Sequence, residues 1–221
     1  MTTTPDARQR ILAANEAAAE ALRARFARDR TLVVNLISSP GSGKTSLLET
    51  TVGRLAADLK VAVLDGDIAT EMDAQRIARR GVRAHQILTG GSCHLDARQI
   101  DGALAHLGWD ALDVLFIENV GNLICPTGYD LGEDFKVVLL SVAEGDDKPF
   151  KYPAIFARAD VTVVTKLDLL PHVEFRLDEA LAQVRTLRPG GTVLRTSIRT
   201  GEGLDDWCAL IRERLATKRT G

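Results

Sequence analysis

The chain has 221 residues, the length of one substantial domain, with 28 basic against 30 acidic side chains and a formal net charge of −2. That balance excludes a broad basic footprint for nucleic acid or an anionic membrane, and 45% hydrophobic content beside 26% charge excludes disorder. Three cysteines are too few for a disulfide scaffold. With no apolar run of about 18 residues and no secretory leader pattern, a cytoplasmic, reduced protein without a membrane span is expected.

In chain order, residues 6–29 predict an amphipathic helix, with Leu12, Ala19, Leu22 and Phe26 at helical spacing and its many charges on a solvated face. Short apolar runs at 31–37, 61–64, 114–117, 137–142, 161–164 and 192–194 predict buried strands, and a weaker run lies at 84–88. Helical patterns cover 44–58, 70–80, 95–107, 173–187 and 204–217. Near-continuously apolar strands alternating with helices predict an α/β fold, a mostly parallel sheet with helices on both faces. The expected organisation is an N-terminal helical extension over residues 1–30 and one α/β domain over 31–221.

The run Ser38-Ser39-Pro40-Gly41-Ser42-Gly43-Lys44-Thr45-Ser46 sits between the first strand and a helix, the context of a phosphate-binding loop. Its glycines let backbone N–H groups approach phosphate oxygens, and the helix N-terminus favours negative charge. Gly41, Ser42, Gly43, Lys44, Thr45 and Ser46 are the candidate phosphate contacts, with Lys44 reaching the β/γ-phosphates and the Thr45 hydroxyl ligating Mg²⁺. Ser38 stands where the G-x-x-x-x-G-K-[ST] pattern has its first glycine. Asp67, after the second strand, and Glu118, closing the 114–117 run, are candidates to hold Mg²⁺ or its water, and Asp67 also to orient the attacking water.

Thr165-Lys166-Leu167-Asp168 ends a strand in a form that resembles the [NT]-K-x-D guanine-recognition motif of GTPases. A carboxylate there accepts from the guanine N1–H and 2-amino group, a donor pair adenine lacks. GTP and GDP are therefore the expected nucleotides, and Thr196-Ser197-Ile198 is a weaker candidate for a loop over the base, through Ser197.

Cys93-His94 and Cys125 lie in polar, glycine-containing loops after strands. Two thiols and an imidazole suit Ni²⁺ or Zn²⁺, with a fourth ligand from water or from a second chain pooling its ligands across a symmetric interface. Cys125 follows Glu118 by seven residues, so a metal there would sense the nucleotide state. Cys208 reads as core, and His85, His106 and His172 as structural residues without visible partners.

Gly-Asp-Ile at 66–68, Gly-Ser-Cys-His-Leu-Asp-Ala at 91–97, Glu-Asn-Val-Gly-Asn-Leu-Ile-Cys-Pro at 118–126 and Glu-Gly-Asp-Asp-Lys-Pro-Phe-Lys-Tyr-Pro at 144–153 resemble the HypB family, GTPases that help deliver nickel to [NiFe]-hydrogenase precursors. The resemblance runs from about residue 10 to residue 216. It implies a P-loop NTPase fold of the SIMIBI type and a GTP-hydrolysing metallochaperone. Cys93, His94 and Cys125 match the family's metal site at a nucleotide- and metal-linked homodimer interface. Glu118 to Gly121 matches the E-x-x-G switch, adding Gly121 to the nucleotide contacts, and Lys148 and Lys151 match a loop near the dimer partner's nucleotide. A HypA-type nickel chaperone and the hydrogenase large-subunit precursor are the implied partners.

The sequence lacks the N-terminal cysteine cluster and the histidine-rich tract of some members, so high-affinity nickel storage is not expected. Three alternatives stay open: a urease-type nickel GTPase, whose Cys-Pro-His motif is Cys125-Pro126-Thr127 here, a metal- or nucleotide-sensing scaffold with negligible hydrolysis, and a small-molecule kinase.

Overall fold

The computed structural model describes residues 7–67, 76–107 and 112–221. Helix α1 (Ala7–Asp29) leads into β1 (Leu32–Ser38), α2 (Lys44–Leu55), β2 (Val61–Asp67), β3 (Arg83–Leu88), α3 (Ala97–His106) and β4 (Val114–Glu118). A 3₁₀ turn (Cys125–Gly128) precedes β5 (Phe135–Ser141), the short helices α4 (Lys148–Lys151) and α5 (Pro153–Arg158), and β6 (Val161–Thr165). A second 3₁₀ turn (Leu167–His172), α6 (Leu177–Leu187), β7 (Thr192–Arg195) and α7 (Leu204–Thr220) complete the order.

Among the described residues the strands form one seven-stranded sheet in the order β3-β2-β4-β1-β5-β6-β7, every pairing parallel. Its strands read as unbroken apolar runs because both faces are covered. In β1, Leu32, Val34 and Leu36 pack with Leu47 and Leu48 of α2 and Trp207 and Ile211 of α7. The alternate residue Val33 joins Leu22 and Phe26 of α1 and Ile100 and Leu104 of α3. Ile37 joins β5, β6, α5 and α6 around Phe156 and Leu181. Strand β3 read weakly because it is the sheet edge, where only Ile87 is buried.

Helix α1 covers 7–29 of the expected span, and residue 6 lies outside the described residues; Ala19, Leu22 and Phe26 are buried. Helix α6 begins at Leu177 rather than 173, because Pro171 lies in a 3₁₀ turn and Val173 is extended. The helix expected over 70–80 lies mostly outside the described residues, and 76–78 are helical. The buried Trp207 Nε1 donates to Thr51 Oγ1 at 2.8 Å, holding α7 against α2. Among the described residues no helix is long and apolar enough to cross a membrane.

Candidate functional site

Parallel strands deliver their C-terminal ends, and the loops that follow, to one edge of the sheet. The loop after β1 reaches α2 through Gly43, whose φ of +93° places it in the left-handed region that a side chain would resist. The turn ends with Lys44 as the first residue of α2 and buried, 9% exposed. Its Nζ stands 3.8 Å from Glu118 Oε1 at the end of β4, and Thr45 Oγ1 donates to the same oxygen at 2.7 Å. A cleft of about 540 Å³ is lined by residues 41–46 of the loop, Asp65, Arg76, residues 118–121 and Lys166. Ser42 Oγ turns inward to the Ser39 carbonyl.

The parallel register sets Asp65 of β2 beside Glu118, and both are buried. Asp67 ends β2 two residues on, and its side chain lies outside the described residues. Asp65 was not singled out from sequence. The signal was present in Leu64-Asp65-Gly66-Asp67, because strand residues two apart share a face.

The guanine-type segment is braced onto the phosphate loop. Thr165 Oγ1 donates to the Ser42 carbonyl at 2.8 Å and Lys166 Nζ to the Gly41 carbonyl at 2.6 Å. Ser197 Oγ donates to Asp168 Oδ1 at 2.6 Å, so the two base-side candidates meet. Gly121 passes so close to the loop that an added Cβ would stand 3.1–3.2 Å from Pro40.

A second cluster forms between the loop after β3 and the 3₁₀ turn after β4. One ligand atom each from Cys93, His94 and Cys125 lie within 4.8 Å of one another. Around a tetrahedral ion such donors sit about 3.5–3.8 Å apart, from metal–ligand bonds of about 2.0–2.3 Å, so roughly an ångström of closure makes a site. Cys93 Sγ and His94 Nδ1 are already 3.7 Å apart. Asn122 holds the other arm, its Oδ1 accepting from the Ile124 and Cys125 N–H groups at 2.7 and 3.3 Å and its Nδ2 donating to Cys125 Sγ at 3.4 Å. The His94 ring packs on Tyr129 with centroids 3.8 Å apart.

Hydrogen bonding to Cys93 and burial push the Cys125 thiol up. Burial lowers His94 against the opposing pull of the nearby Asp96 carboxylate, and the net lowering favours the neutral, ligating imidazole. The loop carrying Cys93-His94 ends in a capping box: Asp96 Oδ1 accepts from Gln99 N, and Gln99 Oε1 from Asp96 N, both at 2.9 Å.

Residues 32–195 match the family described as the CobW/HypB/UreG nucleotide-binding domain. The hydrogenase maturation factor HypB of Azotobacter vinelandii is 49% identical over 210 residues, spanning 95% of this chain and 69% of that one. The chain belongs to the HypB family. The crystal structure of Archaeoglobus fulgidus HypB shares a TM-score of 0.87 at 38% identity, over 92% of this chain and 99% of that one. That of Helicobacter pylori HypB in complex with nickel shares 0.87 at 39%, over 92% and 95%.

In this HypB-family fold the remaining sequence readings divide. Cys208 is buried with a thiol pushed up by burial, as expected of core. His85 and His106, read as lacking partners, stack on each other with centroids 4.9 Å apart, because β3 and α3 are adjacent in the fold. Lys148 lies over the Tyr152 ring and Lys151 pairs with Asp147. Asn15, Asn35 and Asn119 are buried amides that no local pattern distinguished from surface asparagines.

Proposed function

We propose that this HypB-family protein hydrolyses GTP to GDP and phosphate and uses the cycle to govern a nickel ion carried as cargo toward a [NiFe]-hydrogenase precursor. One relationship carries the reading: Glu118 accepts from Thr45 in the phosphate cleft, and the segment it begins supplies Cys125 to the thiol–imidazole cluster. Nucleotide and cargo would thus act on one stretch of chain.

In this reading Gly41 to Ser46 and Gly121 hold the phosphates, and Lys44 offsets charge growing on them as water attacks in line. Thr165, Lys166, Asp168 and Ser197 frame guanine, with Asp168 accepting from its N1–H and 2-amino group. The Thr45 hydroxyl and the carboxylates at the strand ends form the acidic, all-oxygen donor set that suits Mg²⁺. Thr45, Glu118 and Asp67 would hold it, with Asp65 lining the same cleft, and it would supply charge neutralisation at the phosphates. Cys93, His94 and Cys125 would take Ni²⁺ or Zn²⁺, completed by water or a second chain in a homodimer. A HypA-type chaperone, the hydrogenase precursor, a cytoplasmic setting and the division into residues 1–30 and a GTPase domain over 31–221 belong to the same proposal.

Steady-state phosphate release from GTP tests it. The wild-type protein turns over and Lys44→Ala falls by about 100-fold or more. Wild-type release no faster than buffer, or wild-type rates in Lys44→Ala, overturns the enzyme reading.

A further inference from the structure

The cluster has two arms, and their ties to the nucleotide cleft differ. Cys125 is joined to Glu118 by seven residues of chain. Cys93 and His94 come from the loop after β3, at the far edge of the sheet, and the chain returns from them to that segment only through α3 and β4. Asn119 bridges this gap. Its side chain is 1% exposed, and its Oδ1 accepts from the Leu95 N–H at 3.2 Å, one peptide bond beyond His94, and from the Val120 N–H at 3.0 Å.

The bridge is held at both ends. Asn119 Nδ2 donates to Asn35 Oδ1 at 3.3 Å, and Asn35 Nδ2 to Glu133 Oε1 at 3.2 Å, so β1 fixes the amide plane. The Asn119 N–H donates to the Leu36 carbonyl at 2.9 Å. Leu95 is fully buried against Gly66 at the end of β2, so close that a Cβ on Gly66 would lie 2.7–2.9 Å from the leucine side chain. A buried amide with satisfied donors and acceptors resists reorientation, since losing a partner leaves a polar group unpaired at about 1–3 kcal/mol.

We infer that Asn119 is a positioning residue that ties the Cys93-His94 arm to the segment beginning at Glu118, so that both arms of the cluster move with that one segment. This rests on the proposed nucleotide and metal reading and adds to it the residue that carries the second arm. When residues 118–121 shift against the phosphates, Cys125 follows by chain continuity and His94 follows through Leu95. Moved as one set, the ligands are displaced against the water or second-chain donor that completes the site, and ion affinity depends steeply on that fit.

Asn15 supplies the control. It joins the same loop region from α1, with Oδ1 accepting from the Ala97 N–H and Nδ2 donating to the Asp130 carbonyl, both at 2.8 Å, but has no bond to residues 118–121. It supports the loop without linking it to the cleft.

The experiment titrates Ni²⁺ against a chromophoric chelator, reading thiolate-to-nickel absorption, with the full chain bound to GDP or to a non-hydrolysable GTP analogue. In wild type the two states differ in Ni²⁺ affinity by about fivefold or more. In Asn119→Ala, measured at saturating concentrations of each nucleotide, the ratio falls to about one. In Asn15→Ala the thermal midpoint drops and the wild-type ratio persists. Should the alanine variant lack a cooperative thermal transition, Asn119→Ser, too short to reach Leu95, gives the same reading. A wild-type ratio in the Asn119 variant overturns the tether alone, as does an equal loss of the ratio in Asn15→Ala. A wild-type ratio of one overturns the nucleotide–metal reading itself, and the tether with it.

Discussion

The Lys166 ammonium donates to the Gly41 carbonyl at 2.6 Å across 125 residues of sequence. The end of β6 is thereby tied to the loop after β1, although β5 lies between their strands. Lys166 also has φ +61° and ψ +36°, a left-handed conformation that costs a non-glycine residue about 1–2 kcal/mol. The fold holds that strain because the lysine braces the cleft.

Replacing Lys166 separates these two effects. Lys166→Ala loses the brace and keeps the strain, and Lys166→Gly loses both. GTP affinity by calorimetry falls about tenfold in each variant, from a lost charged hydrogen bond. In thermal unfolding without nucleotide the glycine variant is the more stable of the two by about 1 kcal/mol.

Asp168→Asn changes base preference. The amide retains a contact with Ser197 Oγ, which now bonds Asp168 Oδ1 at 2.6 Å. In the proposed reading it replaces an acceptor pair for the guanine donors with a mismatched amide, costing about 2 kcal/mol or roughly 30-fold in GTP affinity. Competition between GTP and ATP measures it, and an unchanged preference would remove Asp168 from base recognition.

Cys93→Ser and Cys125→Ser each remove a soft ligand from a cluster whose donor atoms lie within 4.8 Å. Each weakens Ni²⁺ binding by more than about tenfold and diminishes the thiolate-to-metal absorption. Cys208→Ser, in the core between α2 and α7, leaves that absorption intact.

Trp207 is fully buried, and its indole N–H bonds Thr51. Trp207→Phe fills most of the space and loses the hydrogen bond, lowering stability by about 1–2 kcal/mol in denaturant unfolding. Because the site lies at the strand ends, nucleotide affinity stays at the wild-type value.

Asp130 links α1 to the segment before β5. Burial alone would raise its carboxyl, but the Gly132 N–H and the Arg23 guanidinium at 2.5 Å hold it below the usual aspartate range. A folded-state pKa below the unfolded value adds stability above the unfolded pKa of about 3.9, lost as pH falls through the lower folded value. The Arg23–Asp130 pair is partly exposed, so the gain is under about 1 kcal/mol. Arg23→Ala is less stable than wild type at pH 7, and the difference vanishes in acid below both values.

The phosphate loop, the Thr-Lys-Leu-Asp segment and six of the seven strands were legible because each is contiguous: its meaning lies in spacing within about ten residues. The edge strand β3 was faint because a strand covered on fewer sides needs fewer apolar residues. Asp65 does not stand out in the sequence because its place in the cleft follows from its pairing beside Glu118 of β4. The His85–His106 stack was invisible because nothing in either segment announces that β3 and α3 adjoin.

The chain's local chemistry, which residues are suited to cradle phosphate, read a base or ligate a soft ion, was written in its order of amino acids, since backbone permissiveness, charge and softness are properties of the residues themselves. Their assembly was not. That His94 meets Cys125, that Lys166 rests on Gly41, and that Asn119 reaches Leu95 all depend on the strand order β3-β2-β4-β1-β5-β6-β7 and its register. Those are set by burying two faces of a sheet at once, a balance over the whole chain that no short window contains.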